Sequence, residues 1–209
     1  MLQHNWTKLE RKEASEVLAQ LSSCQGAIVF SKDFTEVSYK TLPFYSHYKI
    51  YRLINYATMP TFSMFYLGNG KDFTRIDGLA NVIYDINEKD NIYLTENNVI
   101  SYLNFFFNSV QGSEGDVFLI RDPNKVPFID DLPPEQKKDI IDCFEPVKLT
   151  LLTSPEIIFN ITANILYGDA VIKTSIKITQ DGEISFENQN LLLSGIYLLD
   201  NIYNDYERF

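Results

Sequence analysis

An alternation of apolar and polar residues between Phe159 and Phe186 constrains the fold more than any other feature of this chain. A period of two is typical of a strand with one buried face. If Gly168-Asp169 is a two-residue hairpin loop, Tyr167 pairs with Ala170 and all of the facing apolar residues lie on one side. The resulting apolar pairs are Ile165 with Ile172, Ile161 with Ile176, and Phe159 with Ile178.

The next turn has two possible loops. A two-residue Asp181-Gly182 loop would move Ile184 to the polar face, whereas a three-residue loop over 180–182 with a left-handed Gly182 pairs Ile178 with Ile184. Because the three-residue loop keeps Ile184 on the apolar face of the sheet, we predict that loop. The alternation at Val147, Leu149 and Leu151 predicts a further strand, which makes a curved meander of three or four strands.

Four helices are expected from apolar spacing and end signals. The first runs from about residue 8 to 23, behind a capping box at Thr7–Glu10. The second lies between Thr95 and Gly112 and is apolar nearly all the way round, so we expect it to be sandwiched between layers or to meet a partner. The third runs from Pro134 to about Phe144, and a closing helix follows Asn190, with apolar positions at Leu192, Ile196, Leu199 and Tyr203.

Between residues 27 and 93 the sequence indicates a first antiparallel region. Short runs rich in Val, Ile, Tyr and Phe alternate with turn residues, which is typical of a meander. The predicted strands are Ala27–Phe30, Glu36–Lys40, Tyr48–Tyr56, Thr61–Leu67 and Asn81–Ile86. The fold class is therefore α+β, with curved antiparallel sheets, a buried central helix and flanking helices. We expect one compact domain over 1–209, with two lobes, 1–121 and 135–209, as a possible division at the proline-rich connection 122–134.

Composition excludes several classes of protein. The chain has 18 Lys+Arg against 28 Asp+Glu, a net charge of -10, which disfavours nucleic-acid binding because such binding needs clustered cations. No apolar run approaches the ~18 residues of a membrane span, and the start of the chain lacks the apolar core of a secretory signal. Two cysteines and two histidines lack metal-ligand spacing, and phosphate-binding loops are absent. We therefore expect a cytoplasmic protein that needs no metal or cofactor.

The candidate ligand-binding residues are His47, Tyr48, Arg75 and Asp77. Histidine is the commonest general acid or base, and Arg75 and Asp77 share one side of an extended segment. Each also has a structural interpretation: a packed histidine beside tyrosines, and a strand that ends in an Asp-Gly turn. Tyrosines are frequent between residues 45 and 84, where they could serve recognition or cross-strand packing.

Several short motifs resemble the pattern of an uncharacterised bacterial protein family over about residues 65–190. They are Arg75-Ile76-Asp77-Gly78, Leu94-Thr95, Asn98-Val99, Tyr102–Phe106, Gly112, Gly115 and Leu166–Asp169. The resemblance implies a bacterial source, and it supplies no activity, cofactor or site residue.

Two functions remain open from the sequence. The first is a non-enzymatic binding or regulatory protein that acts through protein–protein contact, with a protein partner or as a homodimer. The apolar central helix, the tyrosine-rich region and the lack of a nucleophile–base or metal signature favour it over an enzyme. The alternative is a small-molecule enzyme, a hydrolase or transferase, with a pocket in the curved sheet.

Overall fold

The computed structural model of the protein describes residues 6–126, 129, 132–153 and 155–196. These residues contain four α-helices and ten strands in two antiparallel sheets, which confirms the α+β class. The chain packs as two compact units, one ending at Ile92 and the other beginning at Tyr93. The connection 122–134 lies within the second unit, and the expectation of one domain or of two lobes joined there stays a prediction.

The first unit is a five-stranded meander with two helices. Its strands follow one another in the sheet in chain order: β1 Thr7–Lys8, β2 Thr35–Thr41, β3 Lys49–Asn55, β4 Phe62–Gly68 and β5 Phe73–Arg75. Helix α1, Arg11–Leu21, packs its apolar side on the sheet, where Leu21 meets Val37, Leu53 and Tyr66 in one core. The predicted strands over 36–40, 48–56 and 61–67 are confirmed as β2, β3 and β4.

Helix α1 exists as predicted, but its predicted start is wrong. Thr7 and Lys8 pair with Tyr39 and Ser38 of β2, so their backbone is extended and Thr7 does not cap a helix. The capping contact lies three residues later, where the Glu10 backbone N–H donates to Glu13 Oε2 at 3.3 Å. Sheet pairing, a long-range contact, takes precedence over the local signal.

Two of the predicted strands are helical. Ala27–Phe30 contains a 3₁₀ helix, Ala27–Val29, which follows a left-handed Gly26 with φ 77°. Asn81–Ile86 lies inside helix α2, Ala80–Asp90, which buries Ile83 and Ile86 three residues apart. The β-branched and aromatic composition of this segment suggested a strand, although its apolar spacing is helical.

The second unit has two helices and the second sheet. Helix α3 is Val99–Ser109, helix α4 is Pro134–Cys143, and the sheet order is β10-β9-β8-β6 with β7 also paired to β8. The strands are β6 Val117–Ile120, β7 Lys148–Leu152, β8 Ile158–Tyr167, β9 Ala170–Thr179 and β10 Ile184–Leu193. The predicted third helix and the predicted strand at 147–151 are thereby confirmed.

The predicted register of the C-terminal meander is confirmed in both turns. Tyr167 pairs with Ala170 and Ile161 with Ile176, while Ile178 pairs with Ile184. Gly182 adopts φ 83°, the left-handed conformation that the three-residue loop requires.

The predicted buried central helix is α3. Its apolar side chains are buried except that of Ile100, which is half-buried. The ring of Phe107 stacks on Phe186 of β10 with 6.0 Å between centroids, and the Tyr102 hydroxyl donates to the Gly182 carbonyl at 2.7 Å.

The prediction of a closing helix after Asn190 is wrong where it can be compared. Strand β10 continues through Leu193, because Leu191 and Leu193 pair with Ile172 and Val171 of β9. Leu192 and Leu193 of β10 and Ile196, which follows the strand, pack in a second core with Ile140 of α4. Leu192 and Ile196, which suggested a helix face, therefore fill this core from a strand and the segment after it. Leu199 and Tyr203 lie outside the described residues.

Candidate functional site

The structure joins His47 to a residue that the sequence analysis did not connect with it. His47 lies in the loop between β2 and β3, and its Nδ1 is 2.8 Å from Oδ1 of Asp90, the last residue of α2. The Asp90 side chain is 1% exposed, and it also accepts backbone N–H bonds from Ser46 at 2.7 Å and His47 at 3.1 Å. A buried carboxylate therefore anchors this loop to α2.

The bond to Asp90 leaves Nε2 as the ring nitrogen of His47 that can meet a ligand, since a carboxylate at Nδ1 fixes the orientation of the imidazole. The His47 side chain is 77% exposed. Acid–base catalysis would also need a reacting group within hydrogen-bond reach. Among the described side chains, only Asp90 bonds the His47 ring, so this pair is an oriented imidazole without a nucleophile.

Tyr48 follows His47 but is buried, with its ring 6.5 Å from that of Tyr45. Burial raises the pKa of the Tyr48 phenol, and the negative charges of Asp72 and Asp90 raise it further. The phenol therefore stays protonated and packed in the core. Its position favours the structural interpretation, and a ligand-binding role for Tyr48 stays a prediction.

Arg75 and Asp77 have separate local contacts. The Arg75 guanidinium lies so close to Gly26 that a Cβ added to that glycine would be 3.2 Å from it. The Asp77 carboxylate accepts the backbone N–H of Leu79 at 3.1 Å, in a turn that precedes α2. None of these contacts involves His47. Asp90 joins His47 to Tyr48, whose backbone N–H it accepts at 3.4 Å, but the structure does not add Arg75 or Asp77 to them.

A polar groove of about 440 Å³ lies on the outer face of the second sheet, and sequence reasoning assigned no site there. We call it the Asn188 groove and define it by the polar side chains that line it. Those side chains belong to β8, β9 and β10: Asn160, Thr162, Lys173, Ser175, Asn188 and Asn190. Alternation placed the β8 and β9 residues on the outer face, but it gave no sign of a concave surface.

The groove results from an irregularity in β10. Glu187 pairs with Ser175 and Asn190 pairs with Lys173, so two residues of β10 stand opposite one of β9. Asn188, the first extra residue, has φ 51°. A bulge of this kind bends the strand and redirects side chains. Here it turns Asn188 and Asn190 to the face that carries Ser175 and Lys173.

The charge within the groove is paired. Lys173 Nζ lies 2.5 Å from Glu145 Oε1, and this hydrogen bond lowers the pKa of the Glu145 carboxyl, which therefore stays ionised at neutral pH. The Ser175 hydroxyl donates to Asn160 Oδ1 at 2.6 Å. The groove therefore offers amides and hydroxyls, with its ammonium neutralised by a neighbouring carboxylate.

An apolar surface lies at the end of the first sheet where β3 and β4 are joined. We call it the Phe34 patch, and it comprises Ile28, Val29, Phe34, Tyr56 and Met59. Ile28 and Met59 are each 93% exposed, and Phe34 and Tyr56 are more than half exposed. Two bonds hold these segments together: Tyr56 N–H donates to the Phe34 carbonyl and Asn55 Nδ2 to the Val29 carbonyl, both at 2.8 Å.

Within the described residues, no group of three or more His, Cys, Asp or Glu side chains is placed to hold a metal ion. None of the described helices has both the length and the apolar character needed to span a bilayer. Comparisons with protein families, with curated proteins and with solved structures find no match to this chain. The groove, the patch and the His47–Asp90 pair are therefore the features of the described residues that bear on function.

Proposed function

We propose that the protein is a non-enzymatic binding or regulatory protein that acts through protein–protein contact, and that it works as a homodimer joined at the Phe34 patch. The observation that carries this proposal is the set of five exposed apolar side chains at one end of the first sheet. These side chains stand on segments that hydrogen bonds hold together, and monomeric proteins rarely leave several large apolar side chains exposed in one place.

The area of the patch supports a second copy as the occupant. If a fully exposed large side chain contributes about 200 Å², the patch exposes roughly 600–700 Å². Two copies in two-fold contact would then bury roughly 1,300 Å² in total, which lies within the ~1,200–2,000 Å² of stable interfaces. A two-fold contact places the same patch on both subunits, so each apolar surface covers the other.

The cytoplasmic location expected from the sequence forms part of the same proposal. Cys24 and Cys143 are both free thiols, one in each unit. Burial raises the pKa of both thiols, so neither is activated towards oxidation. Unpaired cysteines of this kind suit a reducing compartment. The small-molecule enzyme stays the alternative, and the oriented His47 ring is the observation in its favour.

Size-exclusion chromatography with light scattering tests the dimer. We expect a mass of twice 24.2 kDa for the natural chain, and a monomer mass for Ile28→Glu and Phe34→Glu, since each places a charge in the buried centre of the contact. The matched control is Leu191→Glu, which adds the same charge at an exposed apolar side chain outside the patch and should leave the dimer intact. A monomer at every concentration of the natural chain overturns the proposal, and so does a dimer that survives both patch substitutions.

A further inference from the structure

We propose that the Asn188 groove binds a neutral, polyhydroxylated ligand, a short oligosaccharide segment, through the amide and hydroxyl groups of β8, β9 and β10. This site is separate from the Phe34 patch and does not depend on the proposed dimer. Its volume of about 440 Å³ lies in the ~300–1,000 Å³ range of small-molecule sites.

The donors and acceptors of the groove suit sugar hydroxyls. A sugar hydroxyl both donates and accepts, and an asparagine amide offers one group of each kind. No hydrogen bond within the described part of the chain engages the side chains of Thr162, Asn188 or Asn190, so all three are available. Asn160 is fixed by the bond from Ser175, which orients its amide before any ligand arrives.

The backbone of β10 supports a binding role for the same place. A left-handed φ of 51° is uncommon for a residue other than glycine, and such conformations concentrate where side chains bind ligands. The bulge brings Asn188 and Asn190 to the face that carries Ser175 and Lys173. Regular pairing after Glu187 would instead place Gln189 opposite Lys173 and turn Asn188 and Asn190 to the other face.

The charge of the groove indicates a neutral ligand over an anion. Lys173 is paired with Glu145, which also lies 3.9 Å from Lys148. A phosphate or sulfate would have to separate Lys173 from this carboxylate and then face its negative charge. A neutral hydroxylated molecule accepts a hydrogen bond from Lys173 without disturbing the pair.

Amide NMR spectra of the full chain, titrated with maltotriose, cellotriose, chitotriose and inorganic phosphate, test the proposal. We expect at least one trisaccharide to shift resonances of β8–β10 in a saturable way, and phosphate to cause no such change. Saturable binding of phosphate at these strands means an anion site and overturns the proposal. The absence of binding by all three trisaccharides also overturns it.

Two substitutions locate the site. Thr162→Val removes a groove hydroxyl at constant shape and should weaken trisaccharide binding about fivefold to tenfold. Thr150→Val is the matched control, because Thr150 pairs with Asn160 and does not line the groove. Asn188→Gly keeps the left-handed backbone and removes the side-chain amide. It should therefore weaken trisaccharide binding and leave the β-sheet signal in the circular dichroism spectrum unchanged. Equal affinities in all three variants and the natural chain would place the ligand elsewhere and overturn the proposal.

Discussion

Replacing Asp90 with alanine should destabilise the first unit far more than replacing His47, although the two side chains are bonded to each other. Asp90 accepts two short backbone hydrogen bonds, from Ser46 N–H at 2.7 Å and His47 N–H at 3.1 Å, and a longer one from Tyr48 N–H at 3.4 Å. A hydrogen bond to a charged group contributes about 1.5–3 kcal/mol, so the two short bonds alone amount to about 3–6 kcal/mol in a dry site. Because Ser46 and His47 are exposed, water replaces part of that loss. We expect Asp90→Ala to lower the free energy of unfolding by about 2–3 kcal/mol.

Trp6 provides a selective measurement, because it is the only tryptophan in the chain and it lies in the first unit. Its ring centroid is 6.2 Å from that of Phe65 in β4, so its fluorescence reports unfolding of the first sheet in urea. The control is His47→Ala, which removes a side chain that is 77% exposed and keeps the backbone N–H.

We expect His47→Ala to lower the free energy of unfolding by less than about 1 kcal/mol, because the His47 side chain is exposed and Asp90 keeps its backbone N–H donors. Equal losses in the two variants would mean that the carboxylate acts through the imidazole. A loss below about 0.5 kcal/mol in Asp90→Ala would mean that its backbone bonds contribute little. Either result refutes the reasoning.

Three further predictions concern the second unit and can be measured by circular dichroism in urea. Ile176→Ala should lower the free energy of unfolding by about 2–5 kcal/mol, because Ile176 is fully buried. Ile172→Ala should lower it by less, because Ile172 is only half-buried. Gly182→Ala should lower the free energy of unfolding by about 1–2 kcal/mol, because Gly182 has a left-handed φ of 83° that disfavours a side chain. An unchanged free energy of unfolding would mean that the loop changes its conformation. Lys173 lowers the pKa of Glu145 below its ordinary 4.5, so Glu145 contributes stability above that pH and loses it as the pH falls through the lowered value. Glu145→Gln should therefore flatten the decline of stability in acid, and an unchanged decline would contradict this.

The C-terminal meander was predictable because two independent local signals agreed. The alternation assigns each residue from Phe159 to Ile178 to a face, and the glycine turns determine which residues pair. A shift of one residue would have moved every isoleucine to the outer face. The choice of the three-residue loop at Gly182 followed from this consistency, and the observed pairing of Ile178 with Ile184 confirms it.

Helix α2 was missed because residue preference and periodicity disagreed. Val82, Ile83 and Tyr84 favour strands, but Ile83, Ile86 and Asp90 are buried at helical spacing. The three- and four-residue spacing was the better signal, since burial of one face stabilises a helix more than preference opposes it. The start of α1 was misplaced for a different reason, because β1 exists only through its pairing with a distant strand.

The candidate sites were less predictable than the fold. Sequence reasoning singled out His47 because histidine is the commonest general acid or base. Its partner Asp90 lies 43 positions away, and no local pattern links the two residues. The β8 and β9 residues of the Asn188 groove were placed on the outer face, yet the bulge that makes it concave depends on the backbone of Asn188. A side-chain alternation carries no information about a left-handed residue within a strand.

Within the described part of the chain, strand β10 ends the order of the second sheet, so its outer side could in principle recruit another extended chain. The register with β9 shifts between Glu187 and Asn190 and again between Leu191 and Leu193. Another chain could therefore add only short, misaligned stretches of ladder hydrogen bonds. The same bend that shapes the groove thus disfavours edge-to-edge pairing of another chain at β10.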